Sequence, residues 1–232
     1  MESETFANVT SDILKDVATD TRVTISIVII LTCICFIILV NIIGNMGTIA
    51  AFIKIRSLRQ KPGDLLILNL SIADLGVGLI QLYFLPALFQ VWPWGKAGCQ
   101  LNALLGNTFV VCGIYTTVCI AIDRYLMISR EYPVYLKMQT KTRMYLYIVV
   151  IWGHGFLNGA IELILWDKVE VPGLGRDPFE YTQDCRSPPK HTFLYSLLLF
   201  VVNIFFPLAL IEIFSTIFVI RLRKWLKGAM RS

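Results

Sequence analysis

Residues 23 to 53 form a run of thirty-one residues without one charged side chain, and no other feature restricts the fold as much. About twenty apolar residues let a helix cross the ~30 Å hydrocarbon of a bilayer. Four similar stretches follow: 65–92 with one acid, Asp74; 97–122 with no charge; 144–166 with Glu162; and 191–220 with Glu212. A membrane barrel is excluded, because it is built from short alternating segments rather than long apolar runs. In hydrocarbon each backbone N–H and C=O must be paired within its own segment, which leaves helices. The expected fold is an all-α membrane protein with five transmembrane helices. Only 16% of the residues are charged, against roughly 25% in soluble domains, so a soluble enzyme or a nucleic-acid binder does not fit.

Lysine and arginine set the direction of threading, because they gather in cytoplasmic loops. Lys54, Arg56, Arg59 and Lys61 follow the first span. Arg124, Arg130, Lys137, Lys141 and Arg143 surround the third linker, and Arg221, Arg223, Lys224, Lys227 and Arg231 close the chain. These fourteen face three acids, Asp64, Asp123 and Glu131, whereas the opposite side holds seven basic and ten acidic residues. The chain therefore divides into an extracellular tail (1–22), a membrane domain (23–220) and a basic cytoplasmic tail (221–232). Residues 1–22 lack the basic segment and cleavage site of a removable signal peptide. Asn8-Val9-Thr10 is a glycosylation acceptor in that outer tail.

Four of the six cysteines, Cys33, Cys35, Cys112 and Cys119, fall inside spans and are expected to pack as small apolar residues. Cys99 starts the third span on its outer side and Cys185 lies in the outer loop of residues 167–190. They are the two cysteines on the oxidising side, where disulfides persist, so a Cys99–Cys185 bridge is expected.

Several local patterns occur in order. The first span carries Gly44-Asn45 and the second Asn69-Leu70-Ser71-Ile72-Ala73-Asp74-Leu75. Trp92-Pro93-Trp94-Gly95 precedes Cys99, Asp123-Arg124-Tyr125 ends the third span, Trp152 lies in the fourth and Pro207 in the fifth. With these motifs the chain resembles the rhodopsin-like G protein-coupled receptors from their first helix through their fifth, which implies part of a seven-helix bundle. The resemblance implies that Asp123 restrains Arg124 at rest and that Arg124, with Tyr125, meets a heterotrimeric G protein on activation. It implies a plasma-membrane receptor for a small-molecule or peptide ligand, surrounded by lipid. It also implies a sodium ion at Asp74 with Asn45, although Gly113 replaces the usual Ser of the third helix. A protonated Asp74 bonded to Asn45 is the alternative, since a carboxylate at mid-membrane costs on the order of 2.5–3.5 kcal/mol.

By family position the ligand pocket falls on Asn102, Gly106, Asn107 and Val110. The Asp that binds amines in this family is Gly106 here, which removes the counterion that a buried amine needs. Glu162 stands one turn below the outer end of its helix, as a substitute counterion or, the blander reading, a snorkelling acid. Ile128-Ser129-Arg130, and Trp166 fourteen residues after Trp152, are similar to muscarinic acetylcholine and histamine receptors. Gly155-x-x-x-Gly159 allows close helix approach, within the bundle or in a dimer. Pro86 and Pro207 are expected to kink their helices.

Twelve residues follow Ile220, too few for the family's sixth and seventh helices, so residues 1–232 alone are expected to give no agonist-dependent nucleotide exchange. Two further readings stand beside a receptor polypeptide. One is a shortened isoform that binds full-length receptors and retains them in the endoplasmic reticulum. The other is a transporter or channel fragment, for which paired broken helices and an inverted repeat are lacking. No catalytic constellation, metal-ligand cluster or phosphate-binding loop is visible in the sequence, and His154 and His191 are isolated.

Overall fold

The structure, a computed structural model, describes residues 2–89, 92–130, 132–166, 168, 185 and 193–229. Helix α1 (Glu2–Lys54) is followed by a 3-10 turn (Arg56–Arg59) and α2 (Asp64–Phe84), which tightens into a 3-10 segment (Leu85–Phe89). Then come α3 (Gly95–Ser129), the short α4 (Tyr132–Met138) and α5 (Lys141–Trp166). The last span comprises α6 (Phe193–Phe200), a π-helical turn (Val201–Phe205) and α7 (Phe206–Ala229). Five helices among the described residues are long and apolar enough to cross a membrane, as the charge-free runs require.

The chain falls into two compact units, Met1–Asn41 and Ile42–Ser232. The first is one helical segment whose Ile29, Ile30, Phe36 and Ile37 are each more than half exposed. Such an aliphatic surface suits lipid and would be costly in water. The backbone of residues 2–22 is helical as well. Asn8 lies on that helix, but its side chain falls outside the described residues.

In the second unit α3 is the hub, packed against α2, α5 and α7. Its contact with α5 depends on small residues. A Cβ added to Gly155 would lie 2.8 Å from both Cys112 Sγ and the Thr108 carbonyl oxygen, and one on Gly159 would lie 2.5 Å from the Leu104 carbonyl oxygen. The two glycines thus let α5 approach the backbone of α3, and the Gly155-x-x-x-Gly159 spacing serves packing within the bundle. Leu65 and Leu66 of α2 pack with Met144 of α5 towards one end, and Ala73, Cys112 and Ile151 meet near the middle.

At both prolines the α-helical hydrogen-bond register changes. Pro86 lacks an N–H, and the backbone narrows there, with the Leu85 N–H turning to the Leu82 carbonyl. Ahead of Pro207 the Phe206 N–H reaches back five residues to the Val201 carbonyl. The next bond in that register would run from residue 207 to Val202, and proline cannot donate it. The hydroxyl of Tyr115 in α3 donates to the Val202 carbonyl instead, at 3.0 Å, which satisfies an otherwise orphaned acceptor.

Candidate functional site

Functional side chains gather at four levels along α3. At its amino-terminal end Cys99 and Cys185 form the expected disulfide. Gly95 adopts φ of +61°, a left-handed conformation that glycine tolerates without steric cost. The turn directs the Gly95 carbonyl at the indole of Trp92, whose Nε1–H donates to it at 2.8 Å. Trp92 packs with Cys99, Ala103 and the fully buried Trp166, and Tyr83 stacks on Trp94 with ring centroids 5.2 Å apart. Both Trp92 and Gly95 therefore brace the bridged end of the bundle.

Below this cap lie two cavities. One, of about 200 Å³, is lined by Asn102, Gly106, Asn107 and Val110 from α3 together with Val77, Ile80 and Gln81 from α2. The four residues expected from the family position thus share one lining. The other, of about 280 Å³, shares Asn107 and Val110 and adds Asn158 of α5, Ser196 of α6 and Asn203 of the π turn. Asn203 donates to Asn158 Oδ1 at 2.9 Å. Glu162 departs from its blander reading. It is fully buried and accepts a hydrogen bond from the Asn107 side chain across the α3–α5 interface, and it lines neither cavity. An acid with its partner on the neighbouring helix has no need to snorkel.

At mid-depth the Trp152 indole donates to Asn69 Oδ1 at 2.8 Å, and Asn69 Nδ2 donates to Thr116 Oγ1 at 2.8 Å. One buried amide so joins α2, α3 and α5. Asp74 and Asn45 are both half-buried. Asp74 faces Gly113, where an added Cβ would lie 3.1 Å from Oδ1. Glycine at that position has no side-chain oxygen of the kind a serine would supply.

At the other end of α3 the Asp123 side chain is 2% exposed. The hydroxyl of Tyr135, on α4, donates to Asp123 Oδ1 at 3.0 Å. Gly63 leaves room on the other side, since a Cβ there would lie 2.8 Å from Oδ2. Burial, and after it the adjacent Asp123 carboxylate, push the Tyr135 hydroxyl up to about 12, so it remains a donor. Arg124 is half-buried beside this pair, and the Tyr125 ring meets Phe214 of α7 at 5.3 Å with the Arg221 guanidinium 5.5 Å above it. Sequence reasoning missed Tyr135 because nothing along the chain connects a loop tyrosine to an acid twelve residues earlier. Pro207 is fully buried below the π turn.

With a disulfide at one end of a 35-residue helix and the Asp-Arg-Tyr triplet at the other, the chain is matched over residues 44–230 by the family model for the seven-transmembrane receptors of the rhodopsin family. The chain belongs to that family. Among its relatives are melanopsin of Rattus norvegicus, 31% identical over 79% of this chain and 38% of that protein, and melanopsin of Homo sapiens, 29% identical over 79% and 37%. Rhodopsin of Enteroctopus dofleini is 37% identical over 59% of this chain and 30% of that protein. The chain thus spans less than two-fifths of the length of these relatives. The rhodopsin-family match favours a receptor over a transporter or channel fragment, and the opsin relatives lend nothing to the muscarinic and histamine likeness.

Proposed function

We propose that this rhodopsin-family chain serves a receptor that carries a signal from an extracellular ligand across the plasma membrane to a heterotrimeric G protein. The amino terminus lies outside, the basic tail in the cytoplasm, and residues 23–220 form the membrane domain. One observation supports this most strongly. Asp123 is buried and held by Tyr135 directly beside Arg124, at the end of α3 remote from the disulfide. A carboxylate so enclosed can restrain a neighbouring arginine and release it when the surrounding helices shift. The ligand would sit in the cavities below the disulfide cap, touching Asn102, Gly106, Asn107 and Val110, with Glu162 setting the orientation of Asn107. At Asp74 the glycine at 113 favours a hydrogen-bonded carboxyl over a sodium ion, which equilibrium binding of radioactive sodium would test. Asn8 is the proposed glycan site, tested by a mobility shift on deglycosylation.

The coupling role is tested by guanine-nucleotide exchange in membranes that contain the receptor to which these helices belong. Arg124→Ala should lower exchange at least tenfold at unchanged surface expression. Exchange equal to that of the native receptor would refute the assignment.

A further inference from the structure

Helix α7 continues from the last span into its basic end without a break, through Ala229. Residues three, four and seven apart share a helix face. Ile213 and Ile220 are 53% and 48% exposed. Three, four and seven positions beyond Ile220 stand Arg223, Lys224 and Lys227, all exposed. On the side turned to α3, Phe214 meets the Tyr125 ring, and Arg221, seven residues on and also exposed, lies over the same ring. At 3.6 residues per turn, Arg223 and Lys227 stand about 160° and 120° around the helix from Arg221, with Lys224 at about 60°. One face of α7 thus runs from exposed aliphatic residues directly into exposed cations.

We propose that Arg223, Lys224 and Lys227 form a binding site for the headgroups of anionic phospholipids at the foot of the last span. Their backbones rise about 4.5, 6 and 10.5 Å beyond Ile220. The headgroup layer extends roughly 5–8 Å past the hydrocarbon, and long basic side chains can bend back into it. Because the aliphatic side chains of this face meet acyl chains, the cations that continue it meet the phosphates of the same lipids. A protein docking at Arg124 would approach from the α3 side, where Arg221 stands. Each basic residue near an anionic surface contributes about fivefold in association, so the three together can enrich anionic lipid locally by a large factor.

The inference rests on the proposed topology only for the leaflet that supplies the lipid. The test is therefore made in symmetric bilayers, where orientation has no effect, while epitope mapping tests orientation separately. The full chain is reconstituted in phosphatidylcholine with trace spin-labelled phosphatidylserine or spin-labelled phosphatidylcholine, and the motionally restricted fraction of each label is measured. The native chain should restrict phosphatidylserine several-fold more than phosphatidylcholine, and 1 M salt should abolish the difference. The triple variant R223Q/K224Q/K227Q should bring the ratio close to one. No selectivity in the native chain, or full selectivity in the triple variant, would overturn the proposal. Because the salt arm uses the native chain, the result does not depend on the variant folding.

Discussion

The close approach of α3 and α5 makes a prediction in which sign matters as much as size. Gly153 and Gly159 lie on α5 six residues apart, and both are changed to alanine. At Gly153 an added Cβ meets nothing within 4 Å. The only consequence there is the gain in helix propensity, about 0.5–1 kcal/mol of stabilisation. At Gly159 the same methyl would stand 2.5 Å from the Leu104 carbonyl oxygen and 3.0 Å from its Cδ1. Ordinary contact begins near 3.4 Å, so the helices must separate by several tenths of an ångström. The obstacle is backbone, which has no rotamer through which to yield. Overpacking of this kind costs about 1–3 kcal/mol, and a rigid obstacle puts the cost near the upper end. Set against the propensity gain, the net effect is a loss of about 2 kcal/mol, or roughly thirtyfold in the folded-to-unfolded ratio. The assay is reversible unfolding in mixed micelles titrated with dodecyl sulfate, followed by circular dichroism and compared at equal detergent. If Gly159→Ala proves as stable as Gly153→Ala, the α3–α5 packing described above is wrong.

Further predictions concern the hydrogen bonds between helices. Trp152→Phe keeps an aromatic ring but removes the donor to Asn69, and the same titration should show a loss of about 1–3 kcal/mol for the orphaned amide oxygen. Tyr115→Phe strips the Val202 carbonyl of its donor next to Pro207. It should cost a comparable 1–3 kcal/mol, and hydrogen exchange should rise in the π turn before it rises in α3. Tyr135 is held up to about 12 in the fold, against about 10 for a free tyrosine. The folded state therefore keeps its proton where the unfolded state loses it. Stability from this group is intact below pH 10 and falls as pH rises from 10 through 12. Tyr135→Phe should flatten that decline, and the phenolate absorbance of the native protein should show one tyrosine titrating late.

The number of spans was legible in the sequence because hydrocarbon allows so few alternatives. Their ends were not. Residues 97–122 mark the uncharged part of α3, but the helix runs Gly95–Ser129, because Asp123 is buried with Tyr135 as its partner and does not stop it. The disulfide followed from counting cysteines on one side of the membrane. Residue-to-residue bonds between helices were hidden. The Trp152–Asn69 bond joins positions 83 apart, and only the folded bundle brings them together. Glu162 shows the same limit: its place one turn below the helix end suits a snorkelling acid, and only the position of Asn107 on α3 reveals a buried partner. At Pro207 a kink was foreseeable from the missing N–H, but not that the backbone would take a π turn or that Tyr115 would supply the donor.

The central proposal is that α3 crosses the bilayer with Cys99 outside and Arg124 inside, the orientation that the distribution of lysine and arginine favours. Epitopes placed at the two termini and probed by antibody in intact and permeabilised cells test it directly. The amino-terminal epitope should be stained in intact cells and the carboxyl-terminal one only after permeabilisation. Staining of both epitopes in intact cells, or of neither, would contradict it.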